Sequence, residues 1–375
     1  NANIANYLSL SSYSFANSYA GNAAAVPARM VNPDLTWEVA YTTNLGVEIS
    51  AFKRVKIEVD YYNRENKHLL QAVPLSAATG FASQQKNIGE VQNRGVDLNI
   101  TTTNIDGEFR WTSNFNINFN RSEILKLNNG DDISSGNMRF SEGRPLRYWY
   151  MRKWAGVDPD NGKPLWVKWE DAEGNKINAS GGKNPIVPAN VTTTSNRKEA
   201  SLLFIDTPYP DFTGGFINDF SYKGFSLSIL TDFSYGNTIY SAIREKLDSD
   251  GAFMWHNKMK LRPEWNRWEK PGDKATHPQL LYNGNNKSYF PSSRYLEDGS
   301  YFRIQNISLS YNMNKKVGFF SNIRFHLSVD NIVTFTKYSG ADPSMNMEYP
   351  LSGQSSNTGG FAPTRKVIFG IGFDL

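Results

Sequence analysis

At 375 residues with no cysteine, the chain is long enough for one large domain or two ordinary ones, and it carries neither disulfides nor thiolate chemistry. Its 40 basic and 36 acidic residues leave a net charge of +4 that is interspersed rather than clustered, so no nucleic-acid partner is implied. Aromatic residues make up 14% of the chain although its mean hydropathy is −0.52, and no apolar run approaches the ~18 residues of a spanning helix, so any membrane crossing must be made by strands.

Residues 1–40 precede the first predicted strand, and the opening Asn1-Ala-Asn-Ile-Ala-Asn-Tyr7 has no initiator Met, basic stretch or apolar stretch, as expected of a piece of something longer. Beyond them, period-two alternation over about ten residues predicts nine strands, near 41–52, 54–65, 94–104, 109–121, 212–222, 224–235, 300–312, 323–331 and 366–375. Val55, Ile57, Val59 and Tyr61 take one face of the second while Lys56, Glu58, Asp60 and Tyr62 take the other. Trp111, Phe115, Ile117 and Phe119 oppose Thr112, Asn114, Asn116 and Asn118 in the fourth; Phe225, Leu227, Ile229 and Phe233 oppose Ser226, Ser228, Asp232 and Ser234 in the sixth. Val367, Phe369, Ile371 and Phe373 repeat the pattern at the end.

The connections alternate between short and long. Lys53-Arg54, Asp106-Gly107 and Lys223-Gly224 predict tight hairpin turns, the last two with Gly where a positive φ is needed, and Asn314 to Asn322 predicts a slightly longer one. Between them lie connections near 66–93, 122–211, 236–299 and 332–365, rich in Gly, Pro, Asn and Ser. Such loops are uncommon in a compact soluble domain, whereas transmembrane barrels have short periplasmic turns and long extracellular loops. The fold class predicted is therefore all-β, a transmembrane antiparallel barrel with long extracellular loops, residues 1–40 being an extracellular segment and 41–375 barrel wall. Nine antiparallel strands cannot close, because the first and last would run parallel, so further strands are expected to complete the wall.

Several segments resemble the C-terminal half of SusC/RagA-like TonB-dependent outer-membrane transporters: Asn32-Pro-Asp-Leu-Thr-Trp-Glu38, Asp60-Tyr-Tyr-Asn63, Gly89-Glu-Val-Gln-Asn-Arg-Gly-Val-Asp97, Trp154-Ala-Gly-Val-Asp-Pro159, Pro210-Asp-Phe-Thr-Gly-Gly-Phe216, Ser293-Arg-Tyr-Leu-Glu-Asp-Gly-Ser-Tyr-Phe-Arg303 and Tyr338-Ser-Gly-Ala-Asp-Pro343. Their order and spacing carry the resemblance more than any one of them does. It implies a 22-stranded barrel of which these nine strands are similar to the last nine, a plug and a TonB-contacting region elsewhere, and a SusD-like surface lipoprotein over the mouth. It also implies a multi-pass place among the lipids of a Gram-negative outer membrane, active import of an oligosaccharide or oligopeptide, and no cofactor. Gly370, Phe373 and Leu375 resemble the terminal assembly signal of such barrels, with Leu375 where an aromatic is commonest and Ile368 where a polar residue is expected.

No catalytic constellation appears. His68, His256, His277 and His326 are scattered outside any metal-binding spacing and are expected as surface or lumen residues. Gly370-Ile-Gly372 lacks the third glycine of a dinucleotide site, and Asp158-Pro-Asp-Asn-Gly162 has its Gly one position early for a calcium loop, which favours a plain turn. Seven of the nine tryptophans fall in two long loops, Trp149, Trp154, Trp166 and Trp169 in one and Trp255, Trp265 and Trp268 in the other. They are the candidates for stacking on substrate or anchoring a lid, set against packing in the loops' own small cores. A stand-alone receptor and a secreted all-β carbohydrate-binding or adhesive protein are the alternatives; the ten-residue apolar bands and long loops fit the latter poorly.

Overall fold

The computed structural model describes residues 10, 12–19, 21–81, 83–182, 185–253, 255–256, 260–313, 321–346 and 362–374. In chain order, a small hairpin, β1 (Tyr13–Tyr19) and β2 (Asn22–Pro27), precedes β3 (Val39–Ala51), β4 (Val55–Pro74), β5 (Ser83–Ile105) and β6 (Phe109–Lys126). A long excursion holds eight short strands, β7 (Ile133–Ser135), β8 (Met138–Phe140), β9 (Tyr148–Arg152), β10 (Trp154–Val157), β11 (Pro164–Glu170), β12 (Lys176–Ile177), β13 (Asn190–Thr194) and β14 (Leu202–Phe204). The chain then returns as β15 (Phe212–Tyr222) and β16 (Phe225–Tyr235), and a second excursion contributes β17 (Thr238–Tyr240), helix α1 (Ala242–Leu247) and β18 (Leu296–Asp298). Three more long strands follow, β19 (Tyr301–Met313), β20 (Ser321–Thr336) and β21 (Lys366–Asp374).

The long strands form one nine-stranded antiparallel sheet in the order β3-β4-β5-β6-β15-β16-β19-β20-β21, so each neighbour in space is the next long strand in sequence. All nine predicted strands are present. β15 and β16 are 11 residues each, the length that crosses a bilayer at a tilt. β4 and β5, at 20 and 23 residues, run beyond it on the side of the long connections. Two predicted long loops are correspondingly shorter: 66–93 is mostly a continued hairpin, and 332–365 begins as the last turns of β20.

The register keeps like with like. Ile57 pairs with Ile49 and Ile100, Val59 with Val47 and Leu98, and Leu227 with Phe220 and Leu309, so one face of the sheet is largely apolar, interrupted by Ser113 and Asn218, which bond each other there. Rings on that face stack across strands, with Trp111 and Phe220 centroids 5.7 Å apart and Phe225 and Tyr311 4.3 Å apart. The side chains stay open to the surroundings, Val367 at 67% and Phe369 at 65%, and a large exposed apolar face is what lipid solvates and water does not. On the opposite face Asn99 donates to Glu58, Asn114 to Asn99 and Thr101, and Asn306 to Ser328 and Asp330, a polar lining whose partners are one another.

The hairpin ends correct two details. Lys223 and Gly224 take φ of 43° and 84° as the turn requires, but Gly107 lies outside the positive-φ residues, because the register shift between Thr103 and Ile105 lets a wider turn close without it. At the first turn it is the non-glycine pair Phe52 and Lys53 that adopt φ of 53° and 55°. The predicted turn from Asn314 to Asn322 falls largely outside the described residues.

The N-terminal segment is tied to the overhanging hairpin. Asn32 donates to the Gln85 carbonyl at 2.8 Å, the Thr36 amide to Asn87 at 2.8 Å, and the Leu70 amide to Glu38 at 3.0 Å. Gly95 marks a close approach lower on the wall, where a Cβ would lie 2.3 Å from the Phe119 carbonyl and 2.4 Å from the Tyr62 hydroxyl.

Candidate functional site

Most of the packed interior is found in the excursions; the long strands contribute Val91 and Ile124, which pack with Leu127 on the overhanging part of β5 and β6. Met138, Trp149, Met151, Tyr240 and Tyr295 form one buried cluster and Tyr150, Ala179 and Leu203 another, both contributed by the connections and not by the membrane-spanning strands. The connections predicted as long loops thus carry secondary structure of their own. β7, β8, β9 and β14 form one small sheet, β10 to β13 a second with β11 at its centre, and β17 pairs with β18. Two predicted features drive this folding: the tryptophans supply apolar area, and the Gly and Asn residues supply the turns between short strands.

The two excursions are locked together by bonds that span more than a hundred residues of sequence. The Trp154 amide donates to Ser293 Oγ at 2.8 Å, and the Trp268 indole N–H donates to the Pro159 carbonyl at 2.8 Å. Asn285 donates to the Gly162 carbonyl at 3.1 Å. Asp158-Pro-Asp-Asn-Gly162 is a turn closed on itself, with Asp158 accepting from the Asp160 amide and from Asn161. Gly162 has φ 67°, and a Cβ there would sit 2.4 Å from the Trp268 ring, so this glycine is where one excursion seats the indole of the other.

At the centre of the second excursion is a buried ionic cluster. Arg294 bonds Asp250 through both terminal nitrogens and reaches Asp248 at 3.3 Å; Arg267 bonds Asp250 at 2.8 Å, and Arg244 bridges Asp248 at 3.3 Å and Glu297 at 3.0 Å. His277, expected on a surface, is 2% exposed, with Nε2 2.9 Å from Asp248 and Nδ1 2.8 Å from the Thr276 hydroxyl. An isolated position in sequence gave no sign of the carboxylate 29 residues away that holds it. Burial alone pushes the Asp248 carboxyl up, but the hydrogen bond with His277 and the charges of Arg294 and Arg244 prevail and hold it below the usual carboxylate range. Burial likewise pushes the Tyr295 hydroxyl up.

The same cluster reaches the wall. Glu297 accepts from the Ser339 amide and hydroxyl, and Arg303 on β19 grips both oxygens of Asp342 at 2.7 and 2.8 Å. These partners are the polar residues of the motifs 293–303 and 338–343, so segments that looked like separate sequence signatures are the two halves of one clamp. Every carboxylate in it is occupied by guanidinium, which makes it a device for holding loops in place and not an acid–base pair.

The seven candidate tryptophans are distributed around this clamp. Trp149, Trp166 and Trp268 are buried, at 2%, 0% and 7% exposure. Trp149 donates to the Thr238 carbonyl at 3.2 Å, and Trp166 lies edge-on to Trp154, centroids 5.8 Å apart. Trp154 lies under Arg294 at 5.0 Å and Trp265 under Arg244 at 4.4 Å, both half-buried, and half-buried Trp169 packs with Leu203. Trp255 stands apart, 78% exposed.

With this geometry in place, comparison with known proteins decides the family. The model described as "TonB dependent receptor-like, beta-barrel" matches residues 2–332. The chain belongs to the TonB-dependent receptor-like β-barrel family. This TonB-dependent receptor barrel is 30% identical to TonB-dependent receptor P39 of Formosa agariphila over 92% of its own length and 36% of the relative's. It is 25% identical to TonB-dependent receptor SusC of Bacteroides thetaiotaomicron over 84% of its length and 30% of that protein's. Among solved structures, the RagAB peptide transporter superposes with a TM-score of 0.73 at 29% identity, covering 92% of this chain and 37% of that one. The chain thus spans about a third of the length of the curated relatives it matches, and the SusC/RagA-like resemblance of its motifs stands. The family is one of receptors and transporters, not of enzymes.

Proposed function

We propose that the protein imports a large nutrient, an oligosaccharide or oligopeptide, across the outer membrane of a Gram-negative cell using energy delivered through TonB. In this reading the apolar face of the nine strands meets lipid, the polar face lines the lumen, and residues 1–40 and the two excursions lie on the extracellular side. A SusD-like lipoprotein closes over the mouth and binds the excursions. The observation that carries the reading is the family match over residues 2–332, supported by a sheet with lipid-type and lumen-type faces and by loops clamped into a fixed rim. A rim held by buried charges suits a lid that must close repeatedly onto the same surface, since preorganised contacts lose little entropy on docking.

Of the seven tryptophans, exposed Trp255 is the one we assign to direct contact with substrate or lid, with half-buried Trp154, Trp169 and Trp265 behind it; Trp149, Trp166 and Trp268 act by packing the loops that present them. The test is mass spectrometry of what co-purifies with the intact receptor from detergent-extracted outer membranes. A stoichiometric lipoprotein with trapped oligomer is the expected result. A barrel without the lipoprotein would move the reading to a stand-alone receptor, and a protein absent from outer membranes would end it.

A further inference from the structure

A second feature of the loop cluster lies outside the clamp. Where the turn before β14 meets the residues after Asn285, a cavity of about 370 Å3 has a lining that includes Asn196, Arg197, Lys198, Asn286, Lys287 and Phe290. Three of those six side chains are cationic. Arg197 and Lys287 lie over the same Phe290 ring, at 4.8 and 5.6 Å, so one aromatic surface gathers two like charges without neutralising either. Arg152 adds a fourth cation, donating to the Arg197 carbonyl at 2.7 Å.

Among the described residues no acid lies in contact with them, and Glu245 acts on Arg197 only from a distance. Among the described residues neither Arg152, Arg197, Lys198 nor Lys287 forms an ion pair, in contrast to the clamp, where each guanidinium has its carboxylate. The polar contacts that Arg197 does make run to the Pro291 carbonyl at 3.2 Å, and its Nε is enclosed with no acceptor. Burial, and after it the neighbouring Arg152, outweighs the opposing pull of Tyr240 and Glu245 and pushes the Arg197 guanidinium down to about 10. Grouping like charges on a stiff turn costs free energy that a bound anion would recover. Arginine, lysine and asparagine donors around one hollow suit a carboxylate, sulfate or phosphate, and the Phe290 ring offers an apolar face to whatever bears it.

We propose that this cavity is an oxyanion-binding subsite that recognises an acidic group on the incoming nutrient. The proposal rests on the import reading above and narrows its substrate class to oligomers that carry carboxylate or sulfate groups. A lipopolysaccharide phosphate has the same chemistry, and the test separates the two sources.

The first arm titrates the purified full-length receptor with inorganic phosphate by calorimetry. Saturable binding is expected for the wild type. The double variant Arg197→Gln, Lys287→Gln should weaken it by at least about tenfold, the scale of one lost charge-assisted hydrogen bond. Arg197→Lys with Lys287→Arg keeps the charge and should stay within about fivefold. All forms should share one loop proteolysis pattern, which separates lost recognition from lost folding. In the second arm a heparin tetrasaccharide and tetraglutamate should compete with phosphate, and maltotetraose and amidated tetra-alanine should not. No saturable phosphate binding, or equal binding by wild type and the double glutamine variant, overturns the subsite. Lipopolysaccharide that co-purifies with the wild type, is lost in the variant and is displaced by phosphate would give the subsite to lipid and overturn the nutrient assignment. The titration needs neither TonB nor a lipoprotein, so its failure leaves the import reading standing, and a failure of TonB-dependent uptake leaves the titration as it is.

Discussion

The wall and the loops of this receptor barrel solve opposite problems. The wall buries almost nothing in protein: its aliphatic and aromatic residues face outward, where lipid takes the place of a core, and its backbone groups are satisfied by the ladder. The loops stand in water and must build an interior of their own, which they do with tryptophan, tyrosine and methionine around a buried ionic cluster. Local alternation is enough to specify the first, whereas the second depends on partners far apart in sequence. Arg294 and Asp250 are 44 residues apart, and Trp268 and Pro159 are 109.

This contrast predicts that the two regions fail separately. The largest effect is expected at Arg294→Met, which leaves Asp248 and Asp250 buried with too little positive charge and should destabilise the loop cluster by about 3–5 kcal/mol. Trypsin applied to intact cells should then cut the excursions, while the barrel keeps its heat-modifiable migration in gels; loss of both together would show that loops and wall are one cooperative unit. On the wall, Val59→Arg or Leu227→Arg should cost about 2–4 kcal/mol by placing a charge in lipid and lower the amount of assembled barrel, with Glu58→Arg and Ser228→Arg tolerated. Similar assembly yields for both members of each pair would erase the distinction between faces.

Smaller effects sharpen the picture of the clamp. Gly162→Ala should loosen the seat of Trp268 by about 1–3 kcal/mol, from backbone strain at positive φ and the ring clash, with faster proteolysis near residues 158–163 as the readout. Because the Asp248 carboxyl is held below its ordinary range in the folded state, its stabilisation is present above the unfolded value and lost as pH falls through the folded one. Loop protection should therefore be flat from pH 8 to about 5 and decline only below about 4. Decline already at pH 6 would show that a group other than Asp248 controls the loops. Trp255→Ala should change stability by less than about 0.5 kcal/mol, being exposed, yet weaken capture of substrate or lid in a pull-down.

How legible each region was follows from the same physics. The nine strands could be read because side-chain direction in a strand alternates with every residue, so Val55 to Tyr62 or Phe225 to Ser234 announce both faces locally. Turn geometry was less so: Phe52 and Lys53 take a conformation more typical of Gly and Asn, and nothing in their identity signals it. His277 and Asp248 were invisible as a pair, since 29 residues separate them and the one local spacing, Arg244 to Asp248 at i,i+4, points to another partner. The motifs 293–303 and 338–343 did flag the clamp, but as patterns whose purpose emerged only when Glu297 met Ser339 and Arg303 met Asp342.

The central claim is that one face of the sheet meets lipid and the other an aqueous lumen. Spin labels placed one at a time at Ser226, Leu227, Ser228 and Ile229 of the assembled receptor test it directly, because oxygen partitions into lipid and a water-soluble nickel chelate does not. Leu227 and Ile229 should be relaxed preferentially by oxygen, and Ser226 and Ser228 should lack that preference, a period of two along β16. Uniform accessibility at the four positions, or preference for the nickel chelate at Leu227 and Ile229, would contradict the membrane-spanning wall.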